Sequence, residues 1–347
     1  IFQLNNGTIY CMHRTISGYP AESYSADGGK SWTMPQPPVY ENGVKLKNPR
    51  ACPRIWKCQN GKYLFWYHNH GGWNFASRNP AWISGGIEKD GKIVWGQPEI
   101  LLYEENTDIR MSYPDLIEQD GKYWITETNK VDARCHAIPE NFLEKIWSQF
   151  EICEVAKDNL IDEWKENELA RDTSWKISST DKCLFRDGFT IDFRVVLGDL
   201  SPGQLILSSK DENDKFIELR TGEFGSVEIS MSDGSHTDSW SSDPGLIKGF
   251  GEHCVSVIVD NGPLIIQFVI DGTVSNGRNF RQYGWGRFSV NMKDFGFDNI
   301  EIGKQTSESL SPRSRFTSIR IYSRPLMNTE VIGNHCNFRW EKSKIQF

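Results

Sequence analysis

The sequence lacks several features that would place the protein in a definite class. It has no apolar run long enough to cross a membrane, so no membrane-spanning segment is predicted. It has no excess of positive charge, since 46 Asp and Glu outnumber 39 Lys and Arg and give a net charge of −7. A nucleic-acid partner would require a basic surface, so none is expected. The eight cysteines include no Cys-x-x-Cys pair, which argues against a zinc ribbon or a thioredoxin-type site.

The start of the chain and its cysteines bear on cellular location. The sequence begins at Ile1 with no methionine, basic segment or signal peptide, so we expect further sequence before it. An even number of cysteines permits disulfides without fixing their pairing, and Asn6-Gly7-Thr8 matches a glycosylation sequon. These features favour a secreted or extracellular protein. No cofactor is predicted: calcium is compatible with the Asp-Gly turns, but no calcium or other metal site can be assigned from scattered oxygens.

A length of 347 residues is typical of two domains, and the chain has two regions with different patterns of strands and turns. Up to about residue 138, short strands rich in aromatic and β-branched residues follow Asn-Gly or Asp-Gly turns. This pattern, which predicts repeated antiparallel hairpins, occurs at Asn60–Tyr67, Asp90–Trp95 and Asp120–Thr126. From Thr190 onward the alternating strands are longer and predict an antiparallel sandwich of jelly-roll type.

A helical period separates these two regions. Phe142, Leu143, Ile146, Trp147 and Phe150 fall at helical spacing, and Pro139 suits a first helical turn. We therefore predict a helical connector over 139–174. The predicted fold class is all-β, with a partial β-propeller over 1–138, this connector, and a β-sandwich over 175–347.

The stretch 25–32, SADGGKSW, combines a turn with a large aromatic residue. Asp27-Gly28-Gly29 favours a turn in which the carboxylate accepts backbone N–H groups, and Trp32 is predicted to be buried beside it. The stretch resembles the Asp-box, S-x-D-x-G-x-[ST]-W, of sialidase-like β-propellers, also called the BNR repeat. The resemblance implies a structural role for four residues, which are Ser25, Asp27, Gly29 and Trp32.

The resemblance extends over both halves of the chain. The segment Ile109–Trp124 looks like a blade start in bacterial sialidase-like proteins, and 318–334, SIRIYSRPLMNTEVIGN, looks like the end of a laminin-G-like or concanavalin-A-like module. A propeller requires at least about four blades, and residues 1–138 hold about three. We therefore expect an N-terminal fragment before Ile1 to supply the missing blades.

Candidate site residues flank the strand-like runs of the first region. A cluster of arginines suits the carboxylate of an acidic sugar, and glycoside cleavage commonly uses two carboxyl groups or, in sialidases, a tyrosine nucleophile. The candidate catalytic residues are Tyr113, Asp115 and Glu127. The candidate substrate-binding residues are Arg14, Arg50, Arg54, His68, His70, Arg110 and Lys130. Asp115 or Glu127 is expected to be a proton donor whose pKa is raised by burial.

Three functions are compatible with these residues. The first is a secreted exo-acting glycoside hydrolase, sialidase-like, that acts on a glycan containing an acidic sugar and uses the sandwich as a carbohydrate-binding module. The second is a glycan-binding protein without catalysis, and the third is an extracellular structural or adhesive protein. A fold alone does not decide among them, because related propellers carry different functions.

Overall fold

The structure, a computed structural model, describes residues 1–74, 76–171, 174–178, 185–211, 213–292, 299–302, 310–311 and 313–345, with the backbone alone for 341–345. The chain forms two compact units. Unit 1 contains Ile1–Ile152 and Arg278–Tyr283, and unit 2 contains Cys153–Gly277 and Gly284–Phe347. Antiparallel sheets are the main regular structure among the described residues of both units, and helices are few, which confirms the all-β fold class. No helix among the described residues has the length and apolarity needed to span a membrane.

Unit 1 contains three antiparallel sheets, each made of strands that are neighbours in the sequence. The first sheet consists of β1 (Phe2–Gln3), β2 (Ile9–His13) and β3 (Ala21–Ser25). The second consists of β4 (Arg54–Lys57), β5 (Tyr63–Tyr67), β6 (Ala81–Lys89), β7 (Lys92–Trp95) and β8 (Glu99–Leu102). The third consists of β9 (Ser112–Gln119), β10 (Lys122–Thr128) and β11 (Ala133–Ile138). Such sheets of consecutive strands are the units expected of propeller blades.

The predicted Asp-Gly turns join strands of these sheets. Asp90 and Gly91 connect β6 to β7 with φ values of 50° and 71°, and Asp120 and Gly121 connect β9 to β10 with 51° and 73°. Positive φ at both central residues defines the type I′ turn, whose twist matches that of the flanking strands. The hairpin prediction is confirmed at both places.

Unit 2 contains two antiparallel sheets. One is formed by β12 (Leu160–Lys165), β14 (Gly188–Val196), β19 (Glu252–Asp260), β20 (Ile265–Ile270), β21 (Thr273–Val274), β22 (Gly286–Arg287) and β24 (Arg315–Tyr322). The other is formed by β13 (Ser174–Lys176), β15 (Leu205–Lys210), β16 (Lys215–Thr221), β17 (Val227–Asp233), β18 (Thr237–Ser241) and β23 (Asn299–Ile302).

Apolar side chains from both sheets of unit 2 share one core. Phe193 and Val257 of the first sheet and Ile217 and Ile229 of the second are all 0% exposed and belong to a single cluster. This arrangement is that of a β-sandwich, in which alternate residues of each strand face the core. Its membership of the laminin-G-like class stays a prediction.

The described residues form three helices, and two of them lie near the predicted connector. Helix α1 (Glu140–Ser148) buries Leu143, Ile146 and Trp147, which confirms the helical period there. Helix α2 (Glu166–Leu169) is short, and β12 lies before it inside the range 139–174. The range is therefore helical only in part, because residues 160–165 pair antiparallel with β24. The third helix, α3 (Asn328–Ile345), is tied to the start of unit 2 by a disulfide between Cys153 and Cys336.

The turn at residues 25–32 is held by its own side chains. Ser31 donates its backbone N–H to Asp27 Oδ1 at 2.9 Å and its hydroxyl to Oδ2 at 2.6 Å, so the predicted bond from Asp27 to its own turn is confirmed. The Ser31 hydroxyl holds the pKa of Asp27 down, at about 2. Trp32 is 41% exposed, so the prediction of a buried indole is wrong. Its Nε1 donates to Gly29 O at 3.1 Å, which places the ring across the turn at the surface.

Candidate functional site

A β-bulge sets the position of Tyr113. On β9 and β10, Asp115 pairs with Thr126 and Ser112 pairs with Thr128, so Glu127 faces both Tyr113 and Pro114. Tyr113 has a φ of 51° and its side chain projects into solvent, with the residue 60% exposed. A non-glycine residue in this left-handed region costs roughly 1–3 kcal/mol, and bulges of this kind redirect side chains next to functional sites. The strained backbone therefore presents a phenol at the edge of the third sheet.

Arg78 lies beside Tyr113 and interacts electrostatically with two further arginines, Arg14 and Arg110. Arg78 is 9% exposed, donates from Nη1 to the Ser112 hydroxyl at 2.7 Å, and shares a hydrogen bond with Tyr113. Burial lowers the pKa of Arg78, and the positive charges of Arg110 and Arg14 lower it further, against the opposing effect of Tyr113. Arg14 and Arg110 are exposed. Guanidinium groups that are close enough to repel one another concentrate positive charge, which suits a carboxylate.

Glu127 is the buried carboxylate of this region. Its side chain is 0% exposed, and Oε1 accepts from Arg134 Nε at 2.6 Å and from His136 Nε2 at 3.2 Å. The hydrogen bond to Glu127 raises the pKa of Arg134, whose guanidinium also contacts Glu104. The second oxygen of Glu127, Oε2, is buried and has no hydrogen-bond partner. Buried polar atoms are nearly always hydrogen-bonded, and a carboxylate oxygen accepts hydrogen bonds. Oε2 of Glu127 is therefore suited to accept a hydrogen bond from a hydroxyl group.

Asp115 lies in a different environment from the one we predicted. Its side chain is 67% exposed, so the burial expected of a proton donor is not found at this residue. Trp56 Nε1 donates to Asp115 Oδ1 at 3.1 Å, and Arg54 Nη2 lies 3.9 Å from the same oxygen. Asp115 and Arg54 are therefore neighbours on the surface rather than parts of a closed pocket.

The two histidines predicted to bind substrate are buried. His68 is 1% and His70 is 0% exposed, and burial lowers the pKa of both, to about 4 for His70. His70 has Ser77 O 3.0 Å from Nε2, and Gly72 N and Gln282 Nε2 each 3.2 Å from Nδ1. Both nitrogens of His70 are thus engaged, Nε2 with Ser77 and Nδ1 with Gly72 and with Gln282 of the segment 278–283. This geometry presents neither ring to a glycan.

The remaining predicted residues are exposed and stand apart from these contacts. Arg50 donates its backbone N–H to Asn74 O, and Lys130, with a φ of 82°, lies in the turn between β10 and β11. Their substrate-binding roles stay predictions. Two residues of the site, Arg78 and Glu104, were missed as binding candidates. Arg78 directly precedes Asn79-Pro80 and strand β6, and this position at a strand start was the signal that could have found it.

Comparison with known proteins gives structural neighbours alone. No protein-family model and no curated protein matches the chain. A Trypanosoma rangeli sialidase in complex with sialic acid is similar with 12% identity and a TM-score of 0.37, over 96% of this chain and 61% of that chain. A Ruminococcus gnavus IT-sialidase CBM40 bound to α2,3 sialyllactose has 15% identity and a TM-score of 0.37, over 50% of this chain and 97% of that chain. A leech intramolecular trans-sialidase has 13% identity and a TM-score of 0.36, over 52% of this chain and 28% of that chain.

These neighbours are sialidases and a sialidase carbohydrate-binding module, and the chain is similar to them in its β-rich fold. The chain spans 61% of the length of the Trypanosoma rangeli sialidase.

Proposed function

We propose that the chain belongs to a sialidase-like glycoside hydrolase in which Tyr113 attacks the anomeric carbon of an acidic sugar. The observation that carries the proposal is the placement of Tyr113 in a strained bulge, opposite the buried Glu127 and bonded to Arg78. Strain at a single exposed residue persists only where its surroundings enforce it, which points to a functional reason for the conformation.

Each group around Tyr113 has a chemical role in this proposal. Arg14, Arg78 and Arg110 bind the carboxylate of the sugar, because guanidinium groups pair with carboxylates through two parallel hydrogen bonds. Glu127 Oε2 accepts the proton of the phenol as Tyr113 attacks, and Arg134 holds the carboxylate in place through Oε1. A tyrosine nucleophile is the form that glycoside hydrolysis takes in sialidases.

The test compares turnover and binding in matched variants. Tyr113→Phe and Glu127→Gln are assayed on a fluorogenic sialoside, with the exposed Tyr103→Phe and the half-buried Glu118→Gln as controls. We expect kcat/KM to fall at least about a thousandfold in the first pair, as for loss of a nucleophile or its base, and to stay unchanged in the second. Wild-type turnover in Tyr113→Phe would contradict the proposal. Asp115→Asn tests the exposed aspartate as proton donor in the same assay.

The second candidate is a glycan-binding protein without hydrolysis. It is favoured by the ion pair of Glu127 with Arg134, because that pairing gives the buried carboxylate a structural role. Titration of sialyllactose by calorimetry separates the two. Binding that is lost in Arg78→Met, without turnover in the wild-type chain, would support this candidate.

We also propose an extracellular location. The disulfide between Cys153 and Cys336 supports it, since such bonds persist in oxidising compartments. Retention of this disulfide in protein taken from the native source, measured by mass spectrometry without reduction, is the expected result. Free thiols at both positions would count against this location.

A further inference from the structure

We propose that unit 2 carries a zinc-type metal site formed by Cys254, Asp271 and His335. One ligand atom from each of these residues lies within 4.8 Å of the other two. Zinc binds sulfur at about 2.3 Å and nitrogen or oxygen at about 2.0–2.2 Å, so the ligand atoms of a tetrahedral site lie about 3–4 Å apart. Small side-chain movements therefore bring these three atoms to coordination distance. The site is separate from the proposed glycan site, which lies in unit 1.

Three different elements of unit 2 supply the ligands. Cys254 is on β19, on the opposite face of the strand from the core residues Val255 and Val257. Asp271 occupies the turn between β20 and β21 with a φ of 50°. His335 comes from helix α3. The chain thus brings a thiol, a carboxylate and an imidazole together from positions far apart in sequence.

Two features of His335 point to a ligand. Its Nδ1 is buried and has no hydrogen-bond partner, although buried polar atoms in native proteins are nearly always paired. The other edge of the ring packs closely on the turn, since a Cβ at Gly272 would lie 2.8 Å from His335 Cδ2 and 3.7 Å from Nε2, so Nε2 is the nitrogen nearer the turn. Glycine at 272 is what allows the helix to hold an imidazole at this distance from Asp271.

The carboxylate of Asp271 is fixed by neighbouring groups. Oδ1 accepts the backbone N–H of Cys254 at 2.8 Å, and Oδ2 lies 2.7 Å from His253 Nδ1. Each carboxylate oxygen has two lone pairs, so both oxygens can still coordinate a metal. Outer partners of this kind orient the ligands of metal sites. The site also lies near Arg194 and Asp192, whose opposite charges both act on Cys254 and His335.

The ligand types select the metal. Thiolate and imidazole favour zinc over calcium or magnesium, which prefer oxygen ligands alone. As the zinc–sulfur bond forms, the S–H bond breaks and the proton leaves to solvent. The Asp271 side chain is 36% exposed, which leaves water access for a fourth ligand.

The first experiment titrates Co²⁺, a spectroscopic probe for zinc sites, into the full chain with its disulfide intact. The background is Cys135→Ser, because Cys135 is exposed and would bind metal on its own. We expect one equivalent of Co²⁺ to bind, with a thiolate-to-cobalt charge-transfer band that Zn²⁺ abolishes. Absence of this band in the background protein would overturn the proposal.

Variants then assign the ligands. Cys254→Ser is expected to remove the band, and Asp271→Asn and His335→Gln to weaken Co²⁺ binding at least about tenfold each. The control is His236→Gln, which alters an exposed histidine paired with Asp233 in the same unit. Should Cys254→Ser fail to fold, Asp271→Asn, at a partly exposed turn, still tests the site. Unchanged affinity in the Asp271 and His335 variants would refute this ligand set.

Discussion

The two units place their buried polar groups differently. In unit 2, the faces of β19 are separated, with Val255 and Val257 in the apolar core and Cys254 and Ser256 on the opposite face. Ser256 there donates to Asp192 at 2.6 Å. In unit 1, polar and apolar side chains follow one another along the same buried segment. Tyr67, His68 and His70 are each 1% exposed or less, directly after Phe65 and Trp66.

This difference shows where function is expected in each unit. An apolar layer is stabilised by burial alone, at about 25 cal/mol per Å² of surface removed from water. Buried polar groups stabilise a fold only if they are paired, so a unit that contains many of them depends on long-range contacts. In unit 1 such paired groups include Glu127 and Arg78, whereas in unit 2 they lie outside the apolar core, at Asp192 and Asp271.

The largest effect is expected from truncation in the apolar core of unit 2. Phe193→Ala removes a ring that is 0% exposed and should lower the free energy of unfolding by about 3–5 kcal/mol. Hydrogen exchange of peptides from unit 2 measures this loss locally. The control is Phe224→Ala, at a residue 81% exposed, which should change stability by less than about 0.5 kcal/mol. Equal effects of both variants would mean that no continuous core exists.

Acid should destabilise unit 1 through His70. Its folded pKa of about 4 lies below the ordinary value of 6.5, since burial disfavours the charged ring and Lys47 adds repulsion. The unfolded chain therefore takes up the proton first, so the stabilisation is complete above pH 6.5 and is lost as the pH falls towards 4. The loss is roughly 3 kcal/mol for this fully buried group.

The measurement is the free energy of unfolding of wild type and His70→Gln between pH 7 and pH 4. The variant cannot titrate at this position, so its curve should be flatter over that interval. Parallel curves would show that His70 is not the group responsible.

A smaller effect separates two ion pairs of unit 1. Arg134→Met leaves the buried Glu127 with His136 alone and should cost about 2 kcal/mol, less than for a fully buried pair because Arg134 is 24% exposed. Arg54→Met removes the exposed partner of Asp115 and should cost less than about 0.5 kcal/mol. Urea denaturation of both variants gives the comparison. A larger loss in Arg54→Met would reverse our assignment of the two carboxylates.

Short-range features could be predicted from the sequence. The turns at Asp90-Gly91 and Asp120-Gly121, the self-bonded carboxylate of Asp27 and the helix at Glu140–Ser148 depend on residues within a few positions of one another. Local conformational preference and periodicity are sufficient for these elements. Trp32 marks the limit, because its exposure depends on what surrounds the turn and not on the turn itself.

The sequence by itself thus determined the all-β class, the hairpins and the residue types available for chemistry. Only the tertiary structure decided which of those residues meet. One additional residue in β9, opposite Glu127, sets the direction of Tyr113, and a bulge of this kind has no local sequence signal. Asp115, two positions further, is exposed, whereas Glu127 is buried and paired. Contacts such as Arg78 with Tyr113, or Cys254 with His335, join distant segments, and their free energy depends on register and burial that exist only once the sheets have formed.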